Sequence, residues 1–141
     1  MSRYRILFLL PFLFLVASCS SMHRPAYRAG SVVHVVICWM KDRNDAAARQ
    51  QLLSAADALR QIPGVSSVTA GKMLPSNRPI VDSSYDVAFV IAFPSAEAMN
   101  KYVEQPEHVR LKQEVLDRYV AKYLVYDFVA ERQAESMNDK R

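Results

Sequence analysis

The chain has little of several things on which common chemistries depend. Its three glycines are scattered, so no glycine-rich loop is present to cradle a phosphate. Its two cysteines, Cys19 and Cys38, are too few for a disulfide framework, and no nucleophilic serine or cysteine motif occurs. Of three histidines, His23, His34 and His108, none has paired carboxylates or cysteines beside it, which leaves at most half a zinc site; no metal and no cofactor is expected. Basic residues come singly or in pairs between Lys41 and Lys122, the pattern of a solvated surface, so nucleic acid is not an expected partner. The longest apolar run, Ile6 to Val16, falls short of the roughly 20 residues that a transmembrane helix needs.

What that run does have is its setting. Arg3 and Arg5 precede it, and the small residues of Val16-Ala17-Ser18-Cys19 follow it, the three zones of an export signal. The tetrapeptide resembles the lipobox of bacterial lipoproteins, in which the cysteine takes a diacylglycerol and becomes the first residue of the mature chain. The resemblance implies a signal peptide over 1–18 and lipidation of Cys19. Ser20, in place of aspartate, resembles the signal for outer-membrane sorting, which implies a location on its periplasmic face. The whole chain carries 18 basic and 14 acidic residues; loss of Arg3 and Arg5 with the signal leaves a net charge of +2.

Residues 19–31 are polar, include Pro25 and Gly30 and lack periodicity, which reads as a tether. A single domain over 32–129 follows, then a short tail over 130–141 of mixed charge. Val32 to Met40 is apolar on both alternating sets, a strand to be covered on both faces. Within it Cys38 fits a buried core thiol. Asn44 is the expected cap of a helix reaching Ile62, because Ala48, Leu52, Ala55, Leu59 and Ile62 recur at three- and four-residue intervals; Pro63-Gly64 stops it. Val65 to Leu74 and Tyr85 to Phe93 read as the second and third strands, joined by a proline-containing connection. Ser95 caps a second helix, which breaks near Gln105-Pro106 and restarts through Val109, Val115, Leu116 and Tyr119. Tyr123 to Val129 is the fourth strand.

The order strand, helix, strand, strand, helix, strand favours an α+β ferredoxin-like sandwich with both helices on one sheet face. Yet these strands are apolar on both sides. A bare apolar sheet face of that size marks an interface, so a homodimer packed sheet to sheet is expected.

His34 is the polar break in the first strand, on the alternating set of Val36, Cys38 and Met40. His108 lies where the last helix restarts, near an N-terminal end that favours a neutral imidazole. Tyr102 is about one and a half turns earlier. Two imidazoles and a phenol around an apolar hollow can transfer protons; they can equally serve as satisfied structural groups. Trp39, Phe89 and Phe93 are large enough to help fill a barrel from within.

Val33-His34-Val35-Val36, Ile62-Pro63-Gly64-Val65, Tyr85-Asp86, Phe93-Pro94-Ser95, Tyr102, Pro106-Glu107-His108 and Val125-Tyr126-Asp127-Phe128, in this order and spacing, resemble the stress-responsive α/β barrel (Dabb) family over Val32 to Val129. The resemblance implies homodimers whose two sheets enclose a barrel. One plant branch, the olivetolic acid cyclases, performs a cofactor-free aldol cyclisation of a polyketide. By this likeness its catalytic tyrosine falls on Tyr102, its catalytic histidine on His108 and a pocket histidine on His34, with Trp39 and Phe89 as further pocket residues here. A second pocket histidine of that enzyme falls on Val87, so the polar set is incomplete and cyclase activity is not carried over. Binding of a small apolar or aromatic molecule, or a stress-related role, without turnover is the first expectation. The alternative is a cofactor-independent enzyme using Tyr102 and His108 for proton transfer or aldol-type cyclisation on a polyketide-like or aromatic substrate. A purely structural envelope protein, with a barrel filled by its own side chains, is the third.

Overall fold

The computed structural model describes residues 27–131. The signal peptide, Cys19, most of the tether and nearly all of the tail lie outside them. Four antiparallel strands form one sheet in the order β2-β3-β1-β4: β1 Val32–Met40, β2 Ser67–Lys72, β3 Val87–Phe93 and β4 Val120–Val129. With α1 (Ala46–Leu59) after β1 and α2 (Ala96–Val103), α3 (Pro106–Leu111) and α4 (Asp117–Tyr119) between β3 and β4, this is the ferredoxin-like arrangement expected. No helix among the described residues is long and apolar enough to cross a membrane.

Local chemistry accounts for the boundaries. The carboxylate of Asp45, not the amide of Asn44, caps α1 by accepting from the Ala48 N–H at 2.8 Å. Asn44 instead donates its backbone N–H to Asp42 Oδ1 at 2.8 Å, which closes the turn before the helix. The helix ends at Leu59 rather than Ile62, but Ile62 stays buried in the turn that follows. Gly64 there has φ of 91°, a left-handed conformation that side chains disfavour. Ser95 caps α2 as expected, accepting from Ala98 N–H at 3.2 Å. Strands β2 and β3 are shorter than Val65–Leu74 and Tyr85–Phe93, and β4 is longer, beginning at Val120. At the start of β3, Asp86 is drawn into other work. Its buried carboxylate accepts from Met40 N–H at 2.8 Å and from Arg43 Nε at 2.9 Å, locking the end of β1 to the loop.

The strand register sorts every side chain by face. Val36, Phe89 and Val125 align across β1, β3 and β4, as do His34, Ile91 and Asp127. These point toward the helices; Val36, Phe89 and Ile91 build the core with Leu52, Leu59, Phe93 and Tyr102, while Val125 and Asp127 on the edge strand stay 41% and 44% exposed. The opposite set runs through Val35, Ile37 and Trp39 on β1, Ala88 and Val90 on β3, and Leu124, Tyr126 and Phe128 on β4. No element among the described residues covers these, and Tyr126 and Phe128 are more than half exposed.

Candidate functional site

The site lies between the helices and the β1–β4 side of the sheet. Here α2 ends, Pro106 at the first position starts α3, and the chain passes through a single π-helical turn over Lys112–Leu116 before α4. Proline suits this start because its missing N–H would have no helical partner there. The result is an open cavity of about 180 Å³ whose walls include Val36, Phe89, Ile91, Leu111, Val115 and Val125. For scale, an apolar cavity of ~150 Å³ is enough to hold benzene.

His34, Tyr102 and His108 all line this cavity, as does Phe89. Tyr102 is 1% exposed; its ring packs on Phe93 at 4.9 Å and on His108 at 4.4 Å between centroids. Burial pushes its phenol well above the ordinary range, so the hydroxyl keeps its proton and remains a donor. His108 donates Nδ1–H to the Val103 carbonyl at 3.1 Å, since a carbonyl can only accept; Nε2 is thereby left as an acceptor. Burial holds its imidazole below the ordinary range, and nearby His34 and Lys112 act in the same direction against the opposing pull of the Val103 hydrogen bond. The helix-terminus argument from the sequence names the same neutral form for a different dominant reason. His34 Nδ1 meets Asp127 Oδ1 at 2.6 Å, which orients that ring and leaves its Nε2 free of Asp127.

Trp39 is the exception among the expected pocket residues. Five positions after His34, it falls on the other alternating set and stands on the open sheet face. There it donates Nε1–H to Ser84 Oγ at 3.0 Å beneath the Lys122 ammonium, 4.6 Å from its ring centroid. Phe93 fills core beside the site rather than the cavity itself, edge-on to His34. Val87, where the cyclase branch has a histidine, is fully buried and does not line the cavity. Asp127 is the residue that reading single positions missed. An acid on the core-facing set of an otherwise apolar strand, in register with a histidine, was the available signal. Cys38 is buried with its thiol pushed up to about 12 by desolvation, which makes it a core residue and a poor nucleophile. Among the described residues no group of three or more histidine, cysteine or carboxylate side chains is placed to hold a metal ion.

A four-stranded antiparallel sheet with helices on one face and an apolar cavity beneath them defines a ferredoxin-like α+β protein. Residues 32–130 match the model of the stress-responsive A/B barrel domain, and the chain belongs to that family, Dabb. Among solved structures, a Dabb family protein with a ferredoxin-like fold from Mesorhizobium loti is 25% identical, with a TM-score of 0.59 over 72% of this chain and 97% of that one. A dimeric ferredoxin-like protein of unknown function from Bacteroides fragilis is 18% identical, with a TM-score of 0.60 over 74% and 100%. A hydroxynitrile lyase from Passiflora edulis is 16% identical, with a TM-score of 0.65 over 77% and 100%. The last two likenesses are of fold. No curated protein sequence matches the chain.

Proposed function

We propose that this chain is a lipid-anchored, homodimeric Dabb protein that binds a small apolar or aromatic molecule at the periplasmic face of the outer membrane. One observation carries the binding reading: His34, Tyr102 and His108 converge on a single cavity whose remaining walls are apolar but for Lys112 and Tyr123. Such a pocket takes a compact hydrophobic body and orients it through one oxygen, with Tyr102 as donor and the histidine nitrogens as acceptors. The open apolar face of the sheet, and the dimeric state of the Bacteroides relative, support pairing through that face. The anchor rests on Cys19 behind Val16-Ala17-Ser18. Two lipidated copies per dimer hold to a bilayer far more firmly than a single acyl chain.

Native mass measurement of protein purified from its own host tests the binding. A retained small molecule, released in the Tyr102→Phe/His108→Ala double variant, is the expected result. Protein that is ligand-free and takes up no member of a small aromatic panel defeats the reading. For the anchor, Cys19→Ala should abolish lipidation, and unchanged membrane fractionation would refute it.

A second reading, cofactor-independent proton transfer, is favoured by the His34–Asp127 pair beside a neutral His108. In it His108 Nε2 takes a proton from the bound molecule while the Tyr102 hydroxyl donates to the oxygen where charge develops. Incorporation of deuterium from solvent next to a carbonyl of the retained ligand, lost in His108→Ala, separates this from binding alone.

A further inference from the structure

Strand β4 belongs to both halves of the molecule. As the sheet edge among the described residues, it is paired there on one side only, to β1, and it packs chiefly on that strand. Its alternate residues go two ways. Tyr123 and Val125 wall the cavity, and Asp127 holds His34, all on the side that faces the helices, where at this edge they too remain 40%, 41% and 44% exposed. Leu124, Tyr126 and Phe128 stand on the open face, at 39%, 58% and 51% exposure.

The open face is also lopsided. Its apolar residues run across β3, β1 and β4, whereas β2 contributes only Ser67, Thr69 and Gly71 to it. A surface that covers the apolar strip must therefore sit toward β1 and β4. A second copy presents the same strip, and a two-fold pair requires such a self-complementary patch.

We infer that ligand binding and the pairing of two copies are coupled through β4, the outer wall of the cavity being complete only when a second copy holds that strand from the open face. The inference rests on the proposed binding and dimer reading and adds a regulation to it. An edge strand held by a single ladder opens more cheaply than a central one. A partner burying Tyr126 and Phe128 raises the cost of opening, and a ligand against Tyr123 and Val125 raises it as well. Each then spares the other part of the ordering of β4. Binding free energies are reciprocal, so whatever factor pairing adds to ligand affinity, the ligand returns to pairing.

The test uses the full chain and 4-fluorophenol, a neutral aromatic with one hydroxyl, followed by fluorine NMR at protein concentrations above and below the point of dimer dissociation. Tyr126→Lys supplies a monomer at all concentrations; the position is exposed at the sheet edge, and a thermal melt confirms its fold. Phe128→Ser serves if that variant is unstable. The monomer should bind the probe about fivefold more weakly, or worse. Saturating probe should tighten the wild-type dimer by the square of that factor, one cavity per copy. Amide exchange across residues 123–127 should slow with either event. Equal affinity in monomer and dimer overturns the coupling while leaving cavity and dimer intact. A chain monomeric at every concentration that still binds overturns it through the dimer, and a dimer that takes no probe overturns it through the cavity.

Discussion

The two faces of one sheet carry similar residues and meet different fates. On the covered face, Val36, Phe89, Ile91 and Phe93 are closed over by helices. On the other face, Val35, Ile37, Val90 and Leu124 alternate with them residue by residue but meet no covering element among the described residues. Composition therefore does not separate a core from an interface in this chain; connectivity does. Both crossovers place their helices on the same side, and hydrophobicity left over on the other side meets no cover among the described residues, which is what the proposed second copy would supply.

Four measurements would break or sharpen that contrast. The largest effect belongs to the covered face: Phe93→Ala should cost ~3–5 kcal/mol of folding stability by urea unfolding, because Phe93 is fully buried against Tyr102. Ile37→Glu on the open face should hardly change the stability of the isolated protomer, yet weaken dimerisation by about 2–4 kcal/mol in sedimentation equilibrium. A large loss of folding stability with pairing intact would reverse the assignment of the two faces. Asp45→Ala, which removes the α1 cap from the covering layer, should cost about 1 kcal/mol, read as a lowered urea midpoint.

The smallest effect is a pH dependence. His108 titrates below its ordinary value in the fold, so the unfolded chain binds its proton first as pH falls. The stability linked to a neutral His108 is fully present above about pH 6.5, the ordinary histidine value, and declines as pH drops from there through the folded value. Urea midpoints between pH 7.5 and 5 should fall more steeply in the wild type than in His108→Gln. Parallel curves would mean that the imidazole is not desolvated.

The fold was legible because the signals were redundant. Two-sided apolar strands, a proline-glycine stop and the Ser95 cap each point to the same element order. Boundaries were less legible where one acceptor competes with another. Asp45 outdoes Asn44 as a cap, and Asp86 leaves the strand to hold Met40 and Arg43. In the site, His34, Phe89, Tyr102 and His108 could be named from position and resemblance. Trp39 was misplaced because size was weighed ahead of strand parity. Asp127 escaped because its meaning lies in its register with His34, a pairing between residues far apart in the chain.

The central place of β1 in the sheet has a mechanical side. Residues 27–31 feed directly into β1, and hydrogen bonds from Gly30 to Ala130 and from Ala130 to Ser31 secure that entry. Any pull arriving along the N-terminal segment runs parallel to a strand laddered on both flanks, to β3 and to β4. Such a load shears two rows of bonds together instead of peeling one row bond by bond. Under the proposed anchoring at Cys19, the domain would hang from the strand best placed to bear its weight.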